Sequence, residues 1–462
     1  MEIQGHWRPA QGVAAVIPSR ILGMRPSRTA KLVWILGPMF CVIAIVAYVS
    51  WGPRKPTIVT ATRAEIWAVL PPELRVELHP EDKAAVARFK KLDSIAKSID
   101  PRIAMQAQVD QSAGRLKRSK AIHQLWQSHP HFLTDLTALL EAGPIQRTSS
   151  KSGSEFNPDE SFLAVARMLS TGAKERAQLG DFQSSSRMLR GGTNLADRLL
   201  SASVNYESYL DAVLVEGISS GAVANVLSTP VIPDSAIEPI LSSLPPAPKQ
   251  DEYLAAAIQG EFQRNTLKEL SDPKFIRDLD VPGNYDAIET AQMLGRAIAV
   301  EIANARRPLS QFDFSAERKI VEQKADLPKR PLSSAPALAR IRYGLQMSNI
   351  RNSLGREFML NSTLAGPNFV EVSEAWRAER ELLRIRLAAR IYRASHGSQL
   401  PATTSGLVPI LGVWPLDPYN GKPMIYDRNK ELAYSVGPRL VDEGGTSSNP
   451  SKVEAHRVSL KL

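Results

Sequence analysis

Twenty residues without a charge, LVWILGPMFCVIAIVAYVSW, run from Leu32 to Trp51. A helix of that length matches the hydrocarbon core of a bilayer, about 30 Å thick. Lipid offers no partner to an exposed peptide group, so such a stretch has to close its own hydrogen bonds as a helix. Lys31 precedes it and Arg54 and Lys55 follow; Trp34, Tyr48 and Trp51 lie near its ends, where interfacial aromatics are favoured. Gly37 and Pro38 form a kink site of the kind membrane helices tolerate.

The segment reads as uncleaved. A signal-peptide cut near Ser50 would place Tyr48 where a small residue is needed. Phe40 precedes Cys41, against a lipoprotein site, and no glutamate follows Gly37 within the next few residues, against a prepilin site. Arg20, Arg25, Arg28 and Lys31 flank one side; Arg54, Lys55 and Arg63 flank the other. The excess on the first side puts the N-terminus in the cytoplasm. The expected setting is a bacterial inner membrane crossed once, with the body periplasmic or otherwise extracytoplasmic.

Charge supports that setting over nucleic-acid binding. The chain carries +10, but residues 1–56 hold seven Lys or Arg against one Glu, which leaves +4 for residues 57–462. Basicity beside an apolar segment reads as a membrane flank, not a phosphate-binding face. Cys41 is the single cysteine, so no disulfide forms within the chain and the body relies on core packing.

The body reads as helical. A helix is expected from Pro80 through PEDKAAVARFKKLDSIAKSI, acidic in its first turn and basic in its last. Others are expected near Gly114–Gln127 and Phe132–Glu141, before the turn-rich connection 143–160. Phe162, Val165, Leu169 and Ala173 recur at helical spacing, and a Gly-Asp turn in LGDF (179–182) leads to another helix. No second copy follows at a fixed period, so a repeat array is not supported. Further helices are expected at Glu252–Leu270, Ala287–Ala305 and Ala335–Leu360. The last helix follows Pro367, with Asn368 and Glu371 as a capping box. Its apolar stripe is Ala375, Ala378, Leu382, Ile385, Ala389 and Tyr392, and Gly397 is a natural stop. Arg377, Arg380, Arg384, Arg386, Arg390 and Arg393 populate the remainder, expected as a solvated face.

After Gly397 the period changes. LDPYNGKP (416–423) is a run of turn formers, PMIYD and ELAYSV are strand candidates, and RNK between them can close a hairpin. A two-stranded hairpin is marginal alone, so the stripe of the preceding helix is its expected support. Asp417 is expected to bond backbone within its turn, and Tyr419, Tyr426 and Tyr434 to serve as core or hairpin partners.

This order resembles the major pseudopilin of type II secretion systems. The resemblance rests on Tyr392, Gly397 and Pro401, on PLDPYNGKPMIY (415–426) and on YSVGPRLVDEGG (434–445), within roughly the last 80 residues. The chain is also similar to a group of bacterial single-pass membrane proteins in which an anchor and a helical domain with a Gly-Asp turn precede this ending. In pseudopilins the helix leading into the sheet begins as the membrane segment; here more than 300 residues intervene. The family's C-terminal loop can hold calcium through acidic side chains and carbonyls, which the resemblance places at Asp442 and Glu443. A turn with solvated charges is the alternative, and no other cofactor is expected.

Two further stretches match patterns known from catalytic or metal sites. GISSG (217–221) matches G-x-S-x-G, but its neighbours have helical spacing and no parallel-sheet context. Ser219 is therefore the nucleophile only of the alternative reading, an envelope hydrolase; otherwise the motif is a small-residue patch where helices approach. His129 and His131 lie two apart without a supporting metal pattern, and a turn between helices is expected there. No P-loop or G-x-G-x-x-G occurs.

The expected fold is mainly α: a basic tail (1–31), an N-terminal transmembrane helix (32–51), and a multi-helix extracytoplasmic domain (57–145 and 158–363). A small C-terminal α+β module (368–462) completes it, a long helix plus a β-hairpin or small antiparallel sheet. The expected role is a non-catalytic anchored scaffold or accessory protein of a secretion or pilus-like envelope apparatus. Its expected partners are the bilayer and envelope proteins, not nucleic acid. Arg384, Arg390, Tyr419 and Tyr434 are the candidate contact residues of the module.

Overall fold

The computed structural model describes residues 57–76, 82–115, 119–147, 160–229, 231–247, 250–272, 274, 283–315, 318, 326–330, 336–361, 367–442, 444–445 and 459–461. The basic tail and the apolar segment Leu32–Trp51 lie outside these residues, as does Glu443.

Local chemistry sets the helix ends. Thr62 and Glu65 form a reciprocal capping box that opens α1 (Arg63–Val69). Asp82 caps α2 (Lys83–Lys97), and Asp100, followed by Pro101, caps α3 (Pro101–Ser112). The helix expected at Gly114–Gln127 starts later. Gly114 takes φ +69° and closes α3, and Ser119 caps α4 (Lys120–Ser128). His129 and His131 then lie in the turn before α5 (Phe132–Glu141).

The Gly-Asp turn joins α6 (Glu160–Gln178) to α7 (Phe182–Ser201). Gly180 at φ +78° lets its N–H reach the Ala177 carbonyl while the Asp181 N–H reaches that of Arg176. Asp181 Oδ1 then accepts from the Ser184 N–H at 3.0 Å. That backbone bond, with the Ser184 hydroxyl, holds the Asp181 carboxyl below its usual range. The group's folded pKa is thus below its unfolded one, so its contribution is complete above about pH 4 and lost as pH falls through the folded value. Asp181→Ala should lower stability by about 1 kcal/mol in denaturant titrations at pH 7, with the difference vanishing at strongly acid pH. An equal difference at both pH values would rule out the carboxylate cap as its source.

α8 (Tyr206–Leu227) packs on both α6 and α7 to form the central layer. Among the described residues it is the one helix long and apolar enough to cross a membrane, by length and composition. It is largely enclosed by its neighbours and carries the buried acids Asp211 and Glu216. Lys174 of α6 closes its C-terminal end by donating to the Asn225 carbonyl and to the Ser228 and Thr229 hydroxyls. α2, α3 and α4 pack against α6, and α5 against α7.

A second layer follows α9 (Ile237–Ser242): α10 (Gln250–Glu261), α11 (Leu267–Ser271) and α12 (Ala287–Ala305). A π-helical turn, Phe262–Thr266, interrupts the helix expected at Glu252–Leu270. There the Gln263 amide donates to the Leu74 and Val76 carbonyls. The helix expected at Ala335–Leu360 is two, α13 (Ala337–Asn349) and α14 (Ser353–Asn361). Asn352, at φ +49°, makes the break, and its Oδ1 accepts the Asp286 N–H at the start of α12.

The last long helix, α15 (Pro367–Ser395), begins on Pro367 itself, so Asn368 lies inside it rather than capping it. It crosses α8 and α9, and then meets the short α16 (Val408–Leu411) and the C-terminal sheet. Gly397, at φ +59°, follows its end.

Among the described residues there are two small sheets. β1 (Ile58–Val59) runs parallel to β2 (Tyr285–Asp286). The expected hairpin is β3 (Ile425–Asp427) with β4 (Leu432–Tyr434), in the register Ile425↔Tyr434; β5 (Ser459–Lys461) adds to the other edge of β4. β4 and β5 lie against α15. Among the described residues one hydrophobic core runs from Ala61 to Ala433.

Candidate functional site

Of the arginines of α15, expected on a solvated face, Arg380, Arg384, Arg390 and Arg393 reach other parts of the body. Arg380 is fully buried. Its Nη1 donates to both Glu216 oxygens of α8 at 3.1 Å and to Asp197 of α7 at 3.0 Å. Its Nε donates to the Pro245 carbonyl at 2.9 Å, and Nη2 to Asp197 Oδ2 at 3.3 Å. Ser220 donates to Glu216 from one turn along α8. Burial pushes the Glu216 carboxyl up, and the Arg380 charge opposes that push. Burial by itself would lower the Arg380 pKa, but Glu216 and Asp197 outweigh it and hold the guanidinium charged.

The seam around this network explains GISSG. A Cβ on Gly217 would lie 2.6 Å from the Trp376 ring, and one on Gly192 would lie 3.0 Å from Ser219 Oγ. The small residues let α15 and α7 approach α8. The Tyr209 and Ser373 hydroxyls meet at 2.8 Å in the same seam. Ser219 is buried in mid-helix and donates to the Val215 carbonyl, so the strand-turn-helix elbow of a hydrolase is not formed.

Arg384, a candidate contact residue, is buried and paired within the chain. It donates to Glu381 at 2.7 Å and to the Leu411 carbonyl at the end of α16 at 3.1 Å. Glu381 also accepts the Ala247 N–H. Arg390 is partly exposed and donates to the Ile232 carbonyl. Arg393 reaches Glu431 in the β3–β4 turn at 2.8 Å.

The C-terminal turns are fastened by Asp417, which is 1% exposed. It accepts from the Tyr419 N–H, the Ser435 hydroxyl and the Val436 N–H at 3.0, 2.9 and 2.8 Å. Burial pushes its pKa up against the pull of those bonds. Tyr419 and Tyr434 are both buried. Tyr434 donates to Asp442 at 3.0 Å, and burial plus that bond push its hydroxyl pKa up to about 12.

Asp442 Oδ1 also accepts the Gly444 N–H, the geometry of a side-chain turn. Glu443, its expected calcium partner, lies outside the described residues. Among the described residues, no three His, Cys, Asp or Glu side chains converge as metal ligands. The ion pairs and hydrogen bonds of Arg380 and Arg384 tie α15 to α7, α8 and α16. Spacing could not have revealed Arg380 as the centre of this network, since its acidic partners lie 164 and 183 residues away.

Comparison with family models, with curated proteins and with solved structures returned no match.

Proposed function

We propose that this chain is a membrane-anchored, non-catalytic scaffold of a bacterial envelope, whose C-terminal module docks a protein of a secretion or pilus-like apparatus. The observation that supports it is the arginine spine. Arg380, Arg384 and Arg393 fasten α15 to the helical body, to α16 and to the hairpin. The module is thereby a fixed extension of the body, which suits a scaffold. Its loops also carry exposed apolar side chains: Val413, Leu416, Leu440 and Val441 are 63, 59, 40 and 56% exposed. Asp417 ties the first of these loops to the segment leading to the second. Such side chains on a rigid mount suit the centre of a docking surface.

A photoreactive amino acid at Val413 or Leu416 should crosslink in cells to a defined secretion or pilus-like subunit. The same probe at Leu179, which is 64% exposed on the α6–α7 turn, should not. Crosslinks to no such subunit, or equal crosslinks from all three positions, would overturn the reading.

A further inference from the structure

We propose that the surface formed by β1 and the α13–α14 hairpin docks on an anionic membrane surface. The proposal rests on the reading of Leu32–Trp51 as a bilayer anchor and adds a second, electrostatic contact to it.

Connectivity is the first support. Residues 52–56 are all the chain between Trp51 and Thr57, and five residues span at most about 18 Å. Thr57 is fastened where it joins the body. Its N–H donates to Asn284 Oδ1 at 3.0 Å, and its carbonyl accepts the Tyr285 N–H at 2.9 Å. The Asn284 amide donates in turn to the Ser348 and Ile350 carbonyls, at 2.8 and 3.1 Å. The chain therefore joins the body at the α13–α14 junction.

Charge is the second. Residues 326–361 hold Lys329, Arg330, Arg340, Arg342, Arg351 and Arg356 against Asp326 and Glu357, a net +4. Residues 57–462 also total +4, so the rest of the body is neutral and its whole excess resides in this segment. Lys329, Arg340 and Arg342 are exposed, and the Arg330 and Arg351 side chains are 62 and 82% exposed. Arg351 meets Glu289 at 2.9 Å and Arg330 meets Glu357 at 3.8 Å, so the segment taken together with Glu289 carries +3.

The third support is apolar. Ile58 and Val59 on β1 are 42 and 46% exposed. Apolar side chains beside cations are the composition that enters a headgroup region. Attraction to anionic lipid decays within about 8 Å at physiological salt, so such a patch acts only when held near the bilayer. A short tether supplies that proximity as a high effective concentration.

The test uses the full chain in nanodiscs of phosphatidylcholine alone or mixed with phosphatidylglycerol, read by hydrogen–deuterium exchange. Peptides covering residues 57–60 and 340–352 should exchange at least about threefold more slowly in the anionic discs at low salt. The difference should vanish at about 0.5 M salt, where the screening length is only a few ångströms. It should also vanish in the Arg342→Glu/Arg351→Glu variant, whose two sites are exposed. Peptides around Leu179 should be indifferent to lipid. Wild-type protein that enters both discs and exchanges equally in them overturns the docking face and leaves the anchor standing. Protein that enters neither disc overturns the anchor and, with it, the docking face.

Discussion

Replacing Arg380 with methionine should lower the stability of the fold by about 3–5 kcal/mol. The penalty comes from what remains. Glu216 is fully buried and takes two of its hydrogen bonds from Arg380. Asp197 is 28% exposed at its side chain and can return to water, but Glu216 cannot. The Pro245 carbonyl loses its donor as well. Arg380→Met/Glu216→Met should recover much of the loss, because an apolar pair of similar volume replaces the ions without leaving a charge.

The pH dependence has a definite sign. Burial already pushes Glu216 up, and removing Arg380 removes the opposing attraction. In the variant the folded-state pKa is further above the unfolded value, so the folded state binds a proton that the unfolded state releases. Stability must then rise as pH falls from neutral toward the unfolded carboxyl range, near 4.3. Guanidinium titrations at two pH values measure this. A deficit under about 1 kcal/mol, or one that grows on acidification, would show that the network does not carry the seam.

Asp417→Ala should lower stability by about 3 kcal/mol. Three donors, the Tyr419 N–H, the Val436 N–H and the Ser435 hydroxyl, lose their acceptor in a nearly closed environment. Tyr419 packs beside this turn in the common core, so the effect should spread to the sheet's support on α15. Asp417→Asn keeps one acceptor oxygen and should lose less, about 1 kcal/mol. If alanine and asparagine lose equally, the charge matters and the bond count does not.

Some of this was legible in the residues. Gly180–Asp181, Gly397 and the 425–434 hairpin each depend on a few adjacent residues, and each appears where turn and capping chemistry puts it. Of the stripe, Ala375, Ala378, Leu382, Ile385 and Ala389 are buried as the period requires, and Tyr392 at its end is half-buried. Asp417 was identifiable as a turn residue, though not as the bridge to Ser435 and Val436.

The long-range partners were not legible. Hydrophobic period reports which side of a helix is apolar; it is silent on whether the polar side meets water or a distant carboxylate. Arg380 and Arg384 thus read as surface charges, while Glu216, in an apolar helix, gave no sign of the cation waiting across the seam. GISSG had one spacing and two meanings, and the Trp376 ring over Gly217 selected the packing one. β1 pairs with β2 across 227 residues and β5 joins β4, both in elements too short to show a period. The sequence by itself determined the local elements, because their energies lie within a turn or two of chain. Tertiary structure alone decided which charges are buried and which segments pair, because those energies depend on residues that only folding brings together.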